Sequence, residues 1–286
     1  MKTPKAESAA DLHSVLVDNL GLAIAEGTLA PDSILRLDEL EAQHGVSRSV
    51  VREATRVLSS KGMLESRRRL GTVVQPAESW NAYDPQVIRW RLASSRRLEQ
   101  LQALNELRGA IEPQAARLAA ERASWDAGSD IVSQAARLWA AGQRGAHDEF
   151  LRLDIQFHAA VLKASGNPMF AQLHNLVTEV LTGRTEHGLM PHLPDHEALH
   201  LHVDVASAIQ RGEANAAHTA MSRIVEQSTE EMGDIWSRHQ RPAAPAPELA
   251  PALSPARETL PAAELASAPA PKTQRGVTSR PSPAVG

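Results

Sequence analysis

The pattern of apolar and polar residues between positions 37 and 75 predicts two short helices followed by a β-hairpin. Leu37, Leu40 and Val46 are spaced to face one core, and Gly45 suits the left-handed position that ends a helix. Ser47 is placed to cap the next helix by accepting hydrogen bonds from its first backbone N–H groups. Apolar residues then recur at helical spacing: Val50, Val51, Ala54, Val57 and Leu58. The β-prone runs MLES and TVVQ enclose the basic turn RRRLG, so the pattern predicts a helix-turn-helix followed by a β-wing.

Outside this segment the periodicity is helical almost throughout. One helix is predicted over 8–26. Further helices are predicted over 85–93, 98–122, 129–140, 147–164, 168–182, 195–211 and 214–237. Asp84-Pro85 suits a helix start, and Pro113 is expected to kink or break the helix that contains it. The fold class is therefore mainly α, with an N-terminal winged helix-turn-helix and a C-terminal all-helical bundle.

Changes in composition divide the chain into four parts. The winged helix-turn-helix takes residues 8–76, an aperiodic linker 77–84 and the helical domain 85–240. Residues 241–286 hold ten of the 18 prolines, interleaved with Ala, Ser and Glu. Such a composition buries too little apolar surface to offset the entropy lost on ordering. We therefore expect a disordered Pro/Ala-rich tail.

The overall composition is typical of a soluble cytoplasmic protein. Aromatic residues make up only 3% of the 286 residues, which favours packed helices over sheets. No apolar run approaches the roughly 20 residues that span a bilayer, and the N-terminus has no signal-peptide pattern. The chain has no cysteine, which excludes disulfides and thiolate metal sites. We expect no membrane partner.

Positive charge is concentrated in the helix-turn-helix and its wing, although the whole chain has a net charge of −4. The segment between His44 and Gly71 contains only two acidic residues, both glutamates, but seven cations: Arg48, Arg52, Arg56, Lys61, Arg67, Arg68 and Arg69. A basic helix face alone is often only a solvated surface. Together with the helix-turn-helix and the basic hairpin tip it predicts binding to double-stranded DNA, with the recognition helix in the major groove and the wing at the phosphates.

The string GVSRSVVREATRVLSSKGML, followed by a Gly-Thr pair in the wing, resembles the winged helix of the GntR family of bacterial transcriptional regulators. The resemblance implies operator contacts by Ser47, Arg48 and Arg52, with Gly71 at the wing tip. Relatives carry an arginine just before the first helix of the motif, where this chain has Asp38, and Arg36 is a possible substitute. The full set of predicted DNA-contacting residues is Arg36, Ser47, Arg48, Ser49, Arg52, Arg67, Arg69 and Gly71.

In the helical domain, Asp154 and His158 are four residues apart on one predicted helix, and His202 lies on the buried side of a later one. Side chains at i and i+4 of a helix point the same way, so Asp154 and His158 can share one ion. A carboxylate and two imidazoles form a workable partial shell for Zn, Ni, Mn or Fe(II). The alternative is that the Asp and His bond each other and a buried water.

The segments ELRGAIEPQAARLAAERAS (106–124), D-x-x-F-H at 154–158 and SGNP at 165–168 resemble the ligand-binding domain, called FCD, of the FadR branch of the GntR family. The resemblance implies a divalent metal held by Asp154, His158 and His202. A fourth histidine of the family falls near Ile224, which cannot ligate a metal. The site is therefore either completed by water or an effector oxygen, or has lost the metal.

Arg108 lies on a helix that lines the same pocket in relatives, and its planar guanidinium matches a carboxylate of an acidic effector. The alternative for Arg108 is a surface salt bridge to Glu112 at i+4. Arg184 is a second candidate for effector binding.

Within this branch the chain resembles regulators of sugar-acid catabolism of the galactonate-responsive type. We expect a homodimeric repressor that binds a palindromic operator and is released by a small sugar acid or another carboxylate, such as a hydroxy acid. A metal-dependent enzyme is the alternative from a different class, but no general base, phosphate loop or nucleophile motif accompanies the Asp-His pair, so we predict no enzyme. A purely architectural DNA binder would not need the second domain.

Overall fold

The computed structural model describes residues 9–189 and 195–240. The predicted tail, 241–286, lies outside the described residues. Within the described ranges the chain is mainly helical with one small three-stranded sheet, which confirms the predicted fold class. None of the described helices is both long enough and apolar enough to cross a membrane.

The N-terminal part is a helix-turn-helix followed by a two-stranded wing, as predicted. Its elements are α1 (Ala9–Glu26), β1 (Ile34–Leu35), α2 (Leu37–His44), α3 (Arg48–Ser60), β2 (Leu64–Arg67) and β3 (Gly71–Val74). Strand β3 is central and antiparallel to both β1 and β2. Strand β1 is only two residues long and was not among the predicted elements; Ile34 lies opposite Val73 and Leu35 opposite Thr72.

The turn between α2 and α3 follows the prediction in part. Gly45 ends α2 in the left-handed conformation, with φ of 63°. Ser47 stands at the N-cap of α3, but in the described structure its side chain makes no capping hydrogen bond. Its hydroxyl instead lies 2.9 Å from the hydroxyl of Ser49. Ser47 is therefore a cap in backbone position only, because a neighbouring hydroxyl competes for its side chain.

The segment after the wing is packed onto the winged helix. A short 3₁₀ helix occupies Ala77–Ser79, and α4 occupies Pro85–Ala93. Asp84 caps α4 by accepting from the backbone N–H of Gln86 at 2.9 Å, and it also forms an ion pair with Lys61 at 2.8 Å. Lys61 additionally accepts a backbone hydrogen bond at 2.8 Å from Asn81. The linker is therefore tied to the end of α3.

Helix α4 contributes to two hydrophobic cores. Val87 and Trp90 pack in the core of the winged helix, whereas Ile88 and Leu92 pack among helices of the bundle. The indole N–H of Trp90 donates to Asp18 of α1 at 3.1 Å. Helix α4 thus joins the two parts of the chain through packed side chains as well as through the backbone.

The bundle is formed by the remaining described helices: α5 (Arg97–Arg122), α6 (Trp125–Gln143), α7 (His147–Ala164), α8 (Pro168–Gln172), α9 (His174–Glu186), α10 (His196–Arg211) and α11 (Ala214–Gln240). Several features of these helices differ from the prediction. Helix α5 continues through Pro113 without a break, α6 begins four residues earlier than expected, and the helix predicted over 168–182 is divided at Leu173. Ser124 explains the early start of α6, because its hydroxyl accepts from the backbone N–H of Ala127 at 3.2 Å.

Candidate functional site

The first candidate site is a basic surface formed by the start of α3 and the tip of the wing. All eight predicted DNA-contacting residues are exposed: Arg36, Ser47, Arg48, Ser49, Arg52, Arg67, Arg69 and Gly71. Arg48 pairs with Glu41 at 3.8 Å, but its side chain remains 73% exposed. A pair this exposed contributes little stability, so a phosphate or base can replace the glutamate. The fold therefore leaves these cations accessible to a polyanion.

The wing tip carries its cations on a tight turn. Arg69 has φ of 70°, a left-handed conformation uncommon for a side chain larger than glycine, and Gly71 has φ of 103°. Arg67 pairs at 2.7 Å with Glu65, two residues earlier on β2. The turn holds the basic run beyond the sheet, where it can reach a nucleic-acid backbone.

The second candidate site is a buried cluster that joins α7 and α10. Asp154, His158 and His202 each offer a ligand atom, and these atoms lie within 4.8 Å of one another. The Oδ1 atom of Asp154 lies 3.0 Å from Nε2 of His202 and 3.4 Å from Nε2 of His158. All three side chains are buried. The structure thus brings together the three residues that the sequence grouped from two separate helices.

The contacts of the outer ring nitrogens orient both imidazoles toward Asp154. Nδ1 of His202 lies 2.6 Å from the carbonyl oxygen of Ala198, so this nitrogen carries the proton and donates it. Nδ1 of His158 lies 2.7 Å from Oε2 of Glu112. The Nε2 atom of each ring therefore points toward Asp154. At metal sites, a ligating histidine commonly donates its other ring N–H to a carboxylate or carbonyl oxygen in the same way.

The residues present fit a divalent metal. Within the described ranges both ring nitrogens of His158 are buried without a well-aligned hydrogen bond. A cation shared by Asp154, His158 and His202 would give Nε2 of both histidines and Oδ1 of Asp154 one common partner. One carboxylate oxygen and two imidazole nitrogens suit Zn, Ni, Mn or Fe(II).

The charges of Glu112, Asp154 and His158 depend on one another. Burial raises the pKa of Glu112, but Arg108 and His158 outweigh it and lower that pKa to about 2. Burial opposes a charged imidazole, but Glu112 and Asp154 outweigh it and raise the pKa of His158 to about 9. The two histidines likewise hold the pKa of Asp154 below its ordinary value, despite its burial. Both carboxylates are therefore ionised in the interior, where they require a positive partner.

Two buried arginines lie beside the cluster. Arg108 forms the predicted pair with Glu112, through Nε at 2.7 Å and Nη2 at 3.3 Å, but the pair is buried and not at the surface as the alternative supposed. Arg184 donates to Ser228 and to Glu231, the latter at 3.1 Å. Burial, and then repulsion by Arg108, lowers the pKa of Arg184 to about 10, which keeps it charged. Among the described residues, Nη1 of Arg108 and Nε of Arg184 are buried and have no hydrogen-bond partner.

The cluster and the arginines surround one cavity of about 50 Å³. We call it the polar cavity and define it by six of its lining residues: Arg108, Asp154, His158, Arg184, His202 and Gln227. Ile224 also lines it, at the place where the resemblance to the FCD domain implied a fourth histidine.

Several residues of this cavity were not identified from the sequence. Glu112 was considered only as a partner of Arg108, although it also contacts His158. Gln227, Ser228 and Glu231 line the cavity with Ile224. Their spacing of three, four and seven residues from Ile224 is that of one helix face, which is the signal that could have found them.

Two models of known protein families match the two domains of the chain. Residues 12–74 match the model of the bacterial regulatory proteins of the gntR family, and residues 103–227 match the FCD domain. The chain is similar to the galactonate operon transcriptional repressor of Escherichia coli K12, with 31% identity over 224 residues, which are 77% of this chain and 96% of the relative.

Two further similar proteins are also named as transcriptional regulators. The uncharacterized HTH-type transcriptional regulator YieP of Escherichia coli K12 is 29% identical over 220 residues, covering 75% of this chain and 93% of YieP. The probable D-xylose utilization operon transcriptional repressor of Paenarthrobacter nicotinovorans is 27% identical over 224 residues, covering 78% of this chain and 89% of that repressor. The chain belongs to the GntR family of bacterial transcriptional regulators, and it combines a DNA-binding winged helix with a ligand-responsive FCD domain.

Proposed function

We propose that this regulator is a cytoplasmic, homodimeric repressor of a catabolic operon and that a small carboxylate, most simply a sugar acid, releases it from a palindromic operator. The observation that carries the proposal is a pair of buried guanidinium N–H groups, on Arg108 and Arg184, that have no partner among the described residues and line a cavity beside Asp154, His158 and His202. Unpaired buried donors are costly, and a carboxylate satisfies them. The names of the galactonate and D-xylose relatives support a sugar-derived effector.

A bound metal fits this proposal. Asp154, His158 and His202 would hold a divalent ion, which supplies open coordination positions for an oxygen ligand. Because Ile224 takes the place of a fourth ligand, this chain leaves one more position for water or the effector than a three-histidine site does. We propose that the cluster binds and does not catalyse, since the family is one of transcription regulators.

The charge of the polar cavity favours an effector with a single negative charge. Two arginines and a divalent ion face the carboxylates of Glu112, Asp154 and Glu231, which leaves one positive charge in excess. A buried excess charge is unfavourable until it is neutralised. A monocarboxylate neutralises it, whereas a dicarboxylate overcompensates.

The size of the cavity links binding to a change in shape. A volume of about 50 Å³ accepts a carboxylate group or a few waters. A longer acid therefore requires the surrounding helices to move. Arg184 follows Gly183, where a Cβ atom would lie 2.7 Å from Leu92 of α4, so α9 and α4 are in close contact next to the cavity. Since α4 also packs into the winged-helix core, movement of α9 can reach the DNA-binding part.

The proposal is tested by release of the protein from the DNA upstream of its own gene. Fluorescence anisotropy is measured with sugar acids and simple carboxylates, with and without Zn²⁺. We expect at least one acid to weaken DNA binding in the wild type, and His158→Ala to lose bound metal and this response together. His174→Ala, an exposed histidine of α9, is the matched control. Full release of metal-free His158→Ala by the acid would remove the metal from the proposal.

A further inference from the structure

The polar cavity contains an unpartnered acceptor as well as unpartnered donors. Oε1 of Gln227 is buried and, within 9–189 and 195–240, accepts no hydrogen bond. Gln227 lies on the face of α11 that lines the cavity, one turn beyond Ile224. A buried acceptor without a donor costs free energy, so its presence beside a ligand cavity points to a donor on the ligand.

The orientation of the Gln227 amide is fixed by its neighbour. Its Nε2 group donates to Oε1 of Glu231 at 3.3 Å. The other oxygen of Glu231 accepts from Arg184 at 3.1 Å, so Glu231 acts as a carboxylate acceptor for both partners. If the amide were flipped, two oxygens would face each other. The carbonyl side of Gln227 is therefore the side left without a partner.

A carboxylate cannot satisfy this oxygen. Carboxylates only accept hydrogen bonds, and they are suited to Arg108 and Arg184. A hydroxyl group on the same ligand can donate to Gln227 while its carboxylate lies against the arginines. The unpartnered atoms of the cavity thus require both an anion and a neighbouring O–H donor.

We propose that Gln227 determines effector specificity by accepting a hydrogen bond from an effector hydroxyl, so that the regulator prefers hydroxylated monocarboxylates over their deoxygenated analogues. This inference rests on the proposed function, because it assumes that the polar cavity binds the effector. Beyond that function, it identifies Gln227 of α11 as the residue that recognises the effector's hydroxyl, whereas the proposed metal ligands lie on α7 and α10.

The test is calorimetric titration of the full chain with Zn²⁺ present. The probes are hexonates and pentonates, including D-galactonate, and their deoxygenated counterparts hexanoate and pentanoate. The variant is Gln227→Leu, which has a similar size but no acceptor. The matched control is Gln102→Leu, because Gln102 also donates to a glutamate four residues on, at 3.5 Å, but is exposed.

We expect at least one sugar acid to bind the wild type more tightly than its deoxygenated counterpart. Gln227→Leu should weaken that sugar acid by about 10- to 100-fold, the effect of losing one buried hydrogen bond, and leave the deoxygenated acid unchanged. Gln102→Leu should change neither. The preference of the wild type is measured without any variant, so it tests the proposal even if Gln227→Leu folds poorly.

The remaining outcomes separate this inference from the proposed function. Binding of hexanoate or pentanoate, but of no sugar acid, would overturn the role of Gln227 and leave a carboxylate effector in place. Equal loss of both kinds of acid in Gln227→Leu, or loss of neither, would also overturn it. If no carboxylate of either kind binds, both the inference and the proposed function fail.

Discussion

At the scale of single residues, His158 connects the candidate metal site to the charged residues around it. It lies between the carboxylates of Glu112 and Asp154, and all three are buried. Glu112 also pairs with Arg108, so this one carboxylate positions both the imidazole and a guanidinium that lines the cavity. A residue in that place tunes a metal site without ligating the ion.

Glu112→Gln tests that role. The amide keeps the shape but removes the charge behind His158, so we expect Zn²⁺ affinity to fall by about 10- to 100-fold. Competition with a chelating dye measures the affinity. The control is Glu121→Gln, which removes an exposed glutamate paired at 3.3 Å with Arg117 four residues earlier. Unchanged Zn²⁺ affinity in folded Glu112→Gln would show that Glu112 does not act on the metal site.

Arg48→Ala tests the recognition helix. Arg48 stands at the start of α3 with its side chain 73% exposed, so its removal leaves the core intact. We expect operator affinity to fall by about 10- to 100-fold, the range for one base-reading arginine. Gel shift on operator DNA measures it, with Arg117→Ala in the bundle as the charge-matched control. An unchanged shift would refute the assignment of α3.

The residues of the sites could be predicted to different degrees. The i, i+4 spacing of Asp154 and His158 and the position of His202 on the buried side of a later helix could both be predicted from the sequence, and the resemblance to the family then implied that the three residues hold one metal. The contact of Glu112 with His158 joins two residues that are 46 positions apart and lie on different helices, so local spacing could not reveal it. The hydroxyl of Ser47 has several partners within reach, and a sequence pattern does not decide among them.

At the scale of secondary-structure elements, α4 determines how the winged helix is attached. Its Trp90 packs against Gly21 of α1, where a Cβ atom would lie 2.5 Å from the indole ring. Only a residue without a side chain allows this approach. The close contact, with the hydrogen bond from Trp90 to Asp18, holds α4 against α1.

Gly21→Ala tests this packing. The added methyl group must displace the indole, so we expect a loss of about 1–3 kcal/mol in the free energy of unfolding, measured by urea denaturation. Gly109→Ala is the control, because a Cβ at this helical glycine meets only Val225, at 3.8 Å. The control should gain about 0.5–1 kcal/mol from the better helix former. Equal stability changes in both variants would contradict the described contact.

Most elements were predictable because their apolar residues recur with a clear period. The exceptions have local causes. Proline lacks an N–H and disfavours helix interiors, but Pro113 is buried in α5, and packing of the flanking turns overrides that preference. Strand β1 is two residues long and exists through its pairing with β3, which no local pattern shows.

At the scale of the whole molecule, the buried cavity is connected to the winged helix through α9, α4 and α1, which pack against one another in that order. Thermodynamics then requires reciprocity: if the effector weakens operator binding, the operator must weaken effector binding by the same factor. The family and its two-domain organisation could be recognised from sequence. The coupling could not, because it depends on packing between α9, α4 and α1 that arises only in the folded chain.

The most direct measurement is therefore a pair of dissociation constants, both in the presence of Zn²⁺. The first is that of the protein for its own upstream DNA, with and without a saturating sugar acid. The second is that of the protein for the sugar acid, with and without the DNA. We expect both constants to rise by one common factor, about 5- to 150-fold. An acid that binds the polar cavity, as judged by loss of binding in His158→Ala, yet leaves DNA affinity unchanged would contradict the account.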